Sequence, residues 1–421
     1  MNIAVLAIGD ELLNGDQPDT NTAAIARVFG EHALAIRESA CVRDREEEIG
    51  VALNRLAAAH QAVIVTGGLG PTADDRTARS AAKALGIPLS LDPVALRQIR
   101  ERFQEWGKPM HPRDEKQALL PSRATVLANP RGVAPGFHLR HPQGAELFFL
   151  PGVPEEMRAM LVDSVVPRLL AGAAHLPEKA QQRLTVFGLP ETEVEARLER
   201  MPLPDGVGIA YTVDFPLVRV RLSATGTESQ QLIDRAELAA RRALQEHLVA
   251  LGDESLAGAT GRLLTAAGQT VALAESCTGG LIAKLLTDQP GSSIFFERGA
   301  VTYANAAKTG WLKVPPALLA KSGAVSADCA RAMARGIRRA AGTDLGLAVT
   351  GIAGPDGGTD EKPVGTVFLA LATASGERVE AFHFRGDRSQ VRLYSACTAL
   401  DWLRRQAIEQ LTSAAEQPLP G

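Results

Sequence analysis

Residues 270–286 read TVALAESCTGGLIAKLL. The apolar run 270–273 has the character of a buried strand, and 281–286 that of a helix. Between them the turn AESCTGG, residues 274–280, places Ser276 at a strand-to-helix junction, and Gly279 and Gly280 open the helix without side chains in the way. Such a turn aims unpaired backbone N–H groups and the positive end of the helix dipole at its occupant. That suits a developing oxyanion as well as a phosphate. A serine nucleophile needs a base, and VTYANAAK, residues 301–308, supplies Tyr303 and Lys308 after a strand-like run at 299–303. Together they suggest acyl transfer with a lysine base. Such a base must lose its charge, which desolvation in a closed crevice and repulsion from Arg388 would favour. The plainer alternative is that Ser276 caps the helix and Lys308 is solvated. Cys277 reads as a small buried apolar residue, with a second nucleophile as the other reading.

The surrounding segments supply the rest of this α/β domain. A helix is expected at 255–267, an alanine- and arginine-rich helix at 326–341, and a buried strand at 345–349 ending in TGIAGP. Strands at 366–372 and 379–384 follow, then a final helix at 389–410. Thr350 and Gly351 lie at a strand end, like Ser276, so all three would face one crevice. Arg388 stands before a helix, placed to grip a phosphate or to lie on the surface.

The beginning of the chain follows the same logic. A buried strand at 3–8 ends in Gly9, Asp10 and Glu11. Asp19, Thr20 and Asn21 can cap a helix over 22–29, and 45–59 is a second amphipathic helix. A strand at 62–65 runs into TGGLGPTADD, residues 66–75, and then a helix to about Leu85. Alternation of this kind implies an open parallel sheet with ligands at the carboxyl ends of its strands. TGGLGPT can wrap N–H groups around phosphate oxygens. Asp74 and Asp75, placed in the first helical turn, could hold a hard divalent cation together with Asp10 and Glu11, or simply favour the helix dipole. Lys116, the Gly/Pro-rich loop at 129–137 and LPGVPEEM at 150–157 come next. A helix at 155–170, interrupted at Pro167, closes the first domain at 170.

A linker at 171–179 precedes a small module to residue 250, in the order β-α-β-β-α, with a capping box from Thr192 and Glu195. The order is KH-like, but no GXXG loop is present to clamp nucleic acid. The expected domains are therefore 1–170, 171–250 and 251–412, with a tail at 413–421. A formal net charge of -3 gives no support for a nucleic-acid surface. Four scattered cysteines form neither a zinc spacing nor a disulfide framework, which fits a reducing cytoplasm. No apolar run is long enough to span a membrane, and the N-terminus lacks a signal-peptide pattern.

GDELLNG with DTN, TGGLGPTADD, APGF, LPGVPEEM, AESCTGG, VTYANAAK, TGIAGPDGG, KPVGTV and GDR, in this order, resemble the CinA competence/damage-inducible family over nearly the whole chain. The resemblance implies a MoaB-like, molybdopterin-binding fold for the first domain, with metal-dependent ADP-ribose pyrophosphatase activity. For the last domain it implies a nicotinamide mononucleotide (NMN) amidohydrolase. Ser276 would be the nucleophile, assisted by Tyr303 and Lys308. Thr278, Gly279, Gly280, Thr350, Gly351 and Arg388 would surround NMN. Asn21, Gly67, Gly68, Gly70, Thr72 and Lys116 would surround ADP-ribose, with a divalent cation at Asp10, Glu11, Asp74 and Asp75. Family members often carry Ser and Glu where this chain has Ala304 and Ala306. A homodimer in the cytoplasm is implied, acting on small nucleotides. The competing readings are a non-enzymatic competence factor and a molybdopterin-binding protein.

Overall fold

The computed structural model describes residues 1–172, 177–201 and 203–415. Residues 173–176 of the expected linker and 416–421 of the expected tail lie outside them, and a helix runs to Ala415. Two compact units form: residues 1–180 with 225–227, and residues 181–224 with 228–421.

The strands of the first unit are β1 (Ile3–Ile8), β2 (Ile36–Val42), β3 (Ala62–Thr66), the isolated pair β4 (Leu89–Leu91) and β5 (Leu119–Pro121), then β6 (Thr125–Leu127), β7 (Gly136–Arg140) and β8 (Glu146–Leu150). Its main sheet has the order β2-β1-β3-β8-β7-β6. β2, β1, β3 and β8 are parallel, β7 pairs antiparallel with β8, and β6 pairs antiparallel with β7. The expected parallel sheet is therefore mixed, because residues 141–145 are too short a link to cross over and can only close a hairpin. β1 is buried throughout because both its faces are covered. Ala4 and Leu6 pack with Ile49, Leu53 and Leu56 of the helix Glu46–Ala59. Ile3 and Val5 pack with Ile25 and Phe29 of the helix Thr20–Glu31. Strand β2 has no continuous apolar run, so the hydrophobic pattern passes over it.

Three local expectations change. Asp74 and Asp75 precede the helix, which is Thr77–Leu85. The helix after LPGV continues through Pro167 to Gly172, its ladder loosened into a π-turn at Leu161–Val165 just ahead of the missing proline N–H. Thr192 lies inside the helix Glu191–Glu199 rather than capping it, and Pro190 occupies the cap without a side-chain bond.

In the second unit β9 (Lys179–Phe187), β10 (Gly208–Asp214), β11 (Leu217–Thr225) and β12 (Leu248–Leu251) form a sheet ordered β10-β11-β9-β12. β12 is a strand beyond the expected β-α-β-β-α. The larger sheet is β14-β13-β15-β16-β17, built from β13 (Val271–Glu275), β14 (Phe296–Val301), β15 (Leu345–Gly351), β16 (Thr366–Ala372) and β17 (Glu377–His383). β14, β13 and β15 are parallel, β16 pairs antiparallel with β15, and β17 pairs antiparallel with β16. On one face Val271, Leu273 and Leu347 meet Leu400 and Leu403 of the long helix Arg388–Ala415. On the other, Ala272, Ala274 and Ala348 let Met333 and Ile337 of the helix Ala327–Ala341 approach closely. Phe187 and Val249 of the smaller sheet belong to the same buried cluster as Val271.

Candidate functional site

Ser276 follows β13, the central parallel strand, and its N–H donates to Val349 O of β15 at 3.0 Å. The lysine expected as its base is there. Lys308 Nζ lies 3.1 Å from Ser276 Oγ, 2.7 Å from Thr302 O and 3.0 Å from Tyr303 O. Lys308 is only 1% exposed, and among the described residues it pairs with no carboxylate. Burial pushes its pKa down from the ordinary lysine value, opposed by the neighbouring thiols of Cys329 and Cys277. The three partners serve both protonation states. A neutral amine has two N–H groups for the carbonyls and a lone pair for the Ser276 hydroxyl. An ammonium donates to all three. The arrangement can therefore take a proton from serine and return it.

Tyr303 meets the lysine through its backbone and not through its phenol. Its backbone carbonyl holds the lysine, while its ring is 59% exposed and its hydroxyl accepts from Arg388 Nη2 at 3.0 Å. Arg388 Nη1 donates to Gly354 O at 2.6 Å. The guanidinium is thus fixed between two loops at the strand ends, and desolvation rather than its charge lowers Lys308. Thr350 is buried beside the serine turn, but its hydroxyl donates inward to Ala324 O at 2.8 Å. Gly351 ends β15 against Val367. Thr278 is fully buried, and its hydroxyl has no partner among the described residues.

The helix after the serine does not offer its N-terminus to a ligand. Glu275, 1% exposed, accepts from the N–H groups of Gly280 at 2.9 Å, Ile282 at 3.2 Å and Ala283 at 2.8 Å. Its carboxylate consumes those donors. Gly279 and Gly280 have φ of 61° and 92°, which only glycine adopts without strain, and so bend the chain back over that carboxylate. No backbone carbonyl among the described residues accepts from the N–H groups of Cys277 and Thr278, and both face the Cys277 sulfur. From the other side Arg392 donates to Thr278 O through Nε at 3.2 Å and Nη2 at 2.8 Å. Burial drives the Cys277 thiol up to about 12, so it is no thiolate at neutral pH.

In the first unit the carboxyl ends of β1, β2, β3 and β8 surround a cavity of about 280 Å³. Glu11, Asp19, Asn21, Asp44, Asp74 and Asp75 are on its wall. Gly67, at φ 105°, lets the turn pass Ile8 O, which a Cβ would meet at 2.2 Å. Asn21 Nδ2 donates to Thr66 Oγ1 at 2.9 Å and to Gly152 O at 2.8 Å, leaving its buried Oδ1 without a partner among the described residues. Asp10 does not line the cavity; its carboxylate pairs with Arg43 at 3.5 Å. Asp75 lines it but accepts from Thr72 N at 2.8 Å and from the Thr72 hydroxyl. That turn is why the aspartates precede the helix. Lys116 donates to Thr72 O and, with Gly68 and Gly70, lines an adjoining cavity of about 440 Å³.

The acidic wall has the hard oxygen donors a divalent cation takes. Burial raises the Asp44 carboxyl, and the charges of Glu11, Asp10 and Asp74 raise it further, a repulsion that a bound cation would relieve. Among the described residues no three acidic, histidine or cysteine side chains are drawn together at coordinating distance. The donor chemistry fits a cation, and a coordination sphere is not preformed.

Residues 253–407 match the CinA C-terminal domain, and residues 4–171 match a probable molybdopterin binding domain. A CinA-like protein of Syntrophotalea carbinolica is 55% identical over 405 residues, covering 96% of this chain and 98% of its own. The chain belongs to the CinA family. A CinA-like protein of Geobacter sulfurreducens is 52% identical, over 97% of this chain and 100% of its own. The crystal structure of a Competence-Damaged Protein (CinA) superfamily protein from Klebsiella pneumoniae is 35% identical and covers 37% of this chain and 96% of its own, with a TM-score of 0.36. The first unit thus carries the probable molybdopterin binding domain, and the larger sheet of the second lies in the CinA C-terminal domain.

Within this CinA framework, sequence reasoning passed over Glu275, Arg392 and Asp44. A helix opened by two glycines with no Ser, Thr or Asp at its cap signals that another acceptor must serve its N–H groups. Arg392 is one helical turn beyond Arg388 and shares its face. Asp44 follows β2, the strand the apolar pattern does not reveal. Among the described residues no helix is long and apolar enough to cross a membrane.

Proposed function

We propose that the second unit is a serine–lysine amidohydrolase that converts NMN to nicotinate mononucleotide and ammonia, and that the first hydrolyses ADP-ribose to AMP and ribose 5-phosphate. The observation that carries the amidase reading is Lys308, buried without a carboxylate and 3.1 Å from Ser276 Oγ. A lysine that only stabilised the fold would be expected to keep its charge in water or beside an acid.

Lys308 takes the Ser276 proton as Oγ attacks the carboxamide carbon. The N–H groups of Cys277 and Thr278 stabilise the oxyanion. The Lys308 ammonium then protonates the departing amine, releasing ammonia and leaving an ester on Ser276. Lys308 next removes a proton from water, whose attack on the ester frees nicotinate mononucleotide and restores the serine. Arg388 and the Tyr303 hydroxyl, exposed beside this centre, hold the substrate phosphate.

In the first unit Glu11, Asp44 and Asp74, with Asp75, would hold a divalent cation. When bound, such a cation neutralises pyrophosphate charge and activates water. Asn21 and the Gly67–Gly68 turn position the substrate, and Lys116 stands at the next cavity. The molybdopterin-binding match supports a second reading for this unit, that it binds a pterin without hydrolysing ADP-ribose. Turnover of NMN and ADP-ribose, alongside binding of a molybdopterin precursor, tests all of this. Absence of ammonia release from NMN would overturn the amidase reading, and pterin binding without ADP-ribose turnover would favour the second reading.

A further inference from the structure

The glycine-rich loop that carries Gly354 also carries Lys362, a residue the amidase steps do not use. The neck of this loop is closed by Ile352 N to Thr366 O at 2.9 Å and Gly365 N to Ile352 O at 2.8 Å. At its far end Lys362 N donates to Thr359 Oγ1 at 3.1 Å, and Thr359 N donates to Lys362 O at 2.9 Å. The backbone of the lysine is therefore fixed. Asp360 and Glu361 precede it and are exposed, yet among the described residues its ammonium pairs with no carboxylate. It is half-buried, and its Nζ donates to Val325 O at 2.8 Å and to Ser322 O at 3.3 Å. A lysine that only solubilised the loop would keep its charge in water or beside those acids.

What Lys362 holds is the turn before the helix Ala327–Ala341. Four successive carbonyls of that turn are taken by side chains: Ser322 O and Val325 O by Lys362, Gly323 O by Ser326 Oγ at 2.9 Å, and Ala324 O by Thr350 Oγ1 at 2.8 Å. Thr350 follows Val349, whose carbonyl accepts from Ser276 N. The turn is thus tied, one side chain away, to the strand end beside the nucleophile. The helix that it starts packs on the lysine base. Cys329, in the first turn of the helix, is an electrostatic neighbour of Lys308, and Leu312 and Val314 share a buried cluster with Cys329 and Met333. The end of the helix next to Lys308 is therefore its N-terminal, positive end, which opposes an ammonium and favours a neutral amine. The other groups that face Lys308 carry no charge at neutral pH: the Ser276 hydroxyl, the Thr302 and Tyr303 carbonyls, and the thiols of Cys277 and Cys329, both raised by burial. The Glu275 carboxylate is turned to the N–H groups of Gly280, Ile282 and Ala283.

We propose that Lys362 is a positioning residue of the amidase centre: by holding the 322–325 turn it keeps the start of the helix Ala327–Ala341 against Lys308. The proposal rests on the amidase reading and deepens it, since the helix end helps to supply the free amine that Ser276 needs.

The test reads Lys308 directly. With lysine isotope-labelled at Cε in the full chain, the resonance that disappears in Lys308→Met is titrated by NMR in wild type, Lys362→Met, Lys362→Arg and Thr350→Val. Loosening the helix start should raise the Lys308 midpoint by roughly 0.2–1.5 pH units in Lys362→Met, and the acidic limb of kcat/KM for NMN should move up with it. Lys362→Arg, which keeps the charge and can donate to both carbonyls, should stay closer to wild type. Thr350→Val cuts the other hold on the turn without changing a charge and should move the midpoint the same way. Lys362→Gln replaces the methionine variant if circular dichroism shows that the latter does not fold. An unmoved midpoint, with or without a loss of stability, overturns the proposal. So does a raised KM with the limb in place, which would make Lys362 a substrate contact, or a midpoint that moves in Lys362→Met and not in Thr350→Val, which would leave only the lost charge. A midpoint that moves in both variants of a protein that releases no ammonia from NMN would uphold the positioning role and refute the amidase.

Discussion

Replacing Lys308 by methionine removes the amine while keeping the length and apolar body of the side chain. An ordinary lysine, with a pKa of about 10.4, is free base in about one molecule in 2,500 at pH 7. Burial lowers Lys308 from that value, and each unit of lowering multiplies the neutral fraction about tenfold. A positioned base contributes typically 10²–10⁴-fold, so kcat for NMN should fall by roughly that factor in Lys308→Met. Ser276→Ala should lose a similar amount, and the double mutant little more, because a nucleophile and its base act as one unit. Lys308→Arg should not rescue, since guanidinium stays charged. In the wild type kcat/KM should fall as pH drops through the lowered lysine pKa, and that limb should be missing from the residual activity of Lys308→Met. The assay is ammonia release from NMN, with circular dichroism to check folding. A Lys308→Met protein with near-wild-type kcat and only a raised KM would make Lys308 a substrate-binding cation and end the serine–lysine mechanism.

Tyr303→Phe should raise KM for NMN several-fold and leave the acidic limb of the pH profile in place, because the backbone carbonyl holds the amine; a displaced limb would put the phenol in the proton path. Asp75→Ala should abolish metal-dependent ADP-ribose hydrolysis and spare NMN deamidation, and full ADP-ribose turnover at saturating metal would remove Asp75 from the reading. A fragment of residues 181–421 should fold and deamidate NMN without added metal, whereas one starting near Leu251 should be less stable, since it lacks Phe187 and Val249 of the shared core; equal urea midpoints would contradict this. Stability should also depend on pH through Lys308. Its folded pKa is below the unfolded value of about 10.4, so the unfolded chain binds more protons between the two, and stability rises with pH across that window. Urea titrations should show the wild type gaining on Lys308→Met as pH rises toward about 10, and parallel curves would mean that Lys308 keeps its charge when folded.

The strands that carry the nucleophile and the glycine-rich turn were legible because they are buried on both faces and read as unbroken apolar runs. β2 was not: Arg37, Glu38 and Ser39 in succession break Ile36–Val42, at the edge of its sheet. With it went Asp44, the carboxylate that sits deepest in the charge of its neighbours. Asp10 shows the opposite error. Its sequence position beside Glu11 suggests a shared role, yet adjacent residues at a helix start point apart, and Arg43 draws Asp10 out of the acidic wall. Spacing located the acidic strand end, and only the fold could say which of its two carboxylates enters the cavity.

The serine turn carries a further lesson about electrostatics. A glycine-opened helix after a strand suggests an anion site, because free N–H groups and the dipole are there by construction. Glu275 is itself an anion, covalently supplied, and it already occupies that position. In the proposed mechanism the turn would stabilise developing charge only through the N–H groups of Cys277 and Thr278, which the carboxylate does not take. Arg392 holds the Thr278 carbonyl, which lies in the peptide whose N–H, that of Gly279, donates to Ser276 O. The serine–lysine pair thereby has charged neighbours that are satisfied within the protein: the Glu275 carboxylate by backbone donors, the Arg392 guanidinium by a carbonyl. In the proposed reaction the group left to change charge is Lys308, whose burial without a carboxylate lowers its pKa.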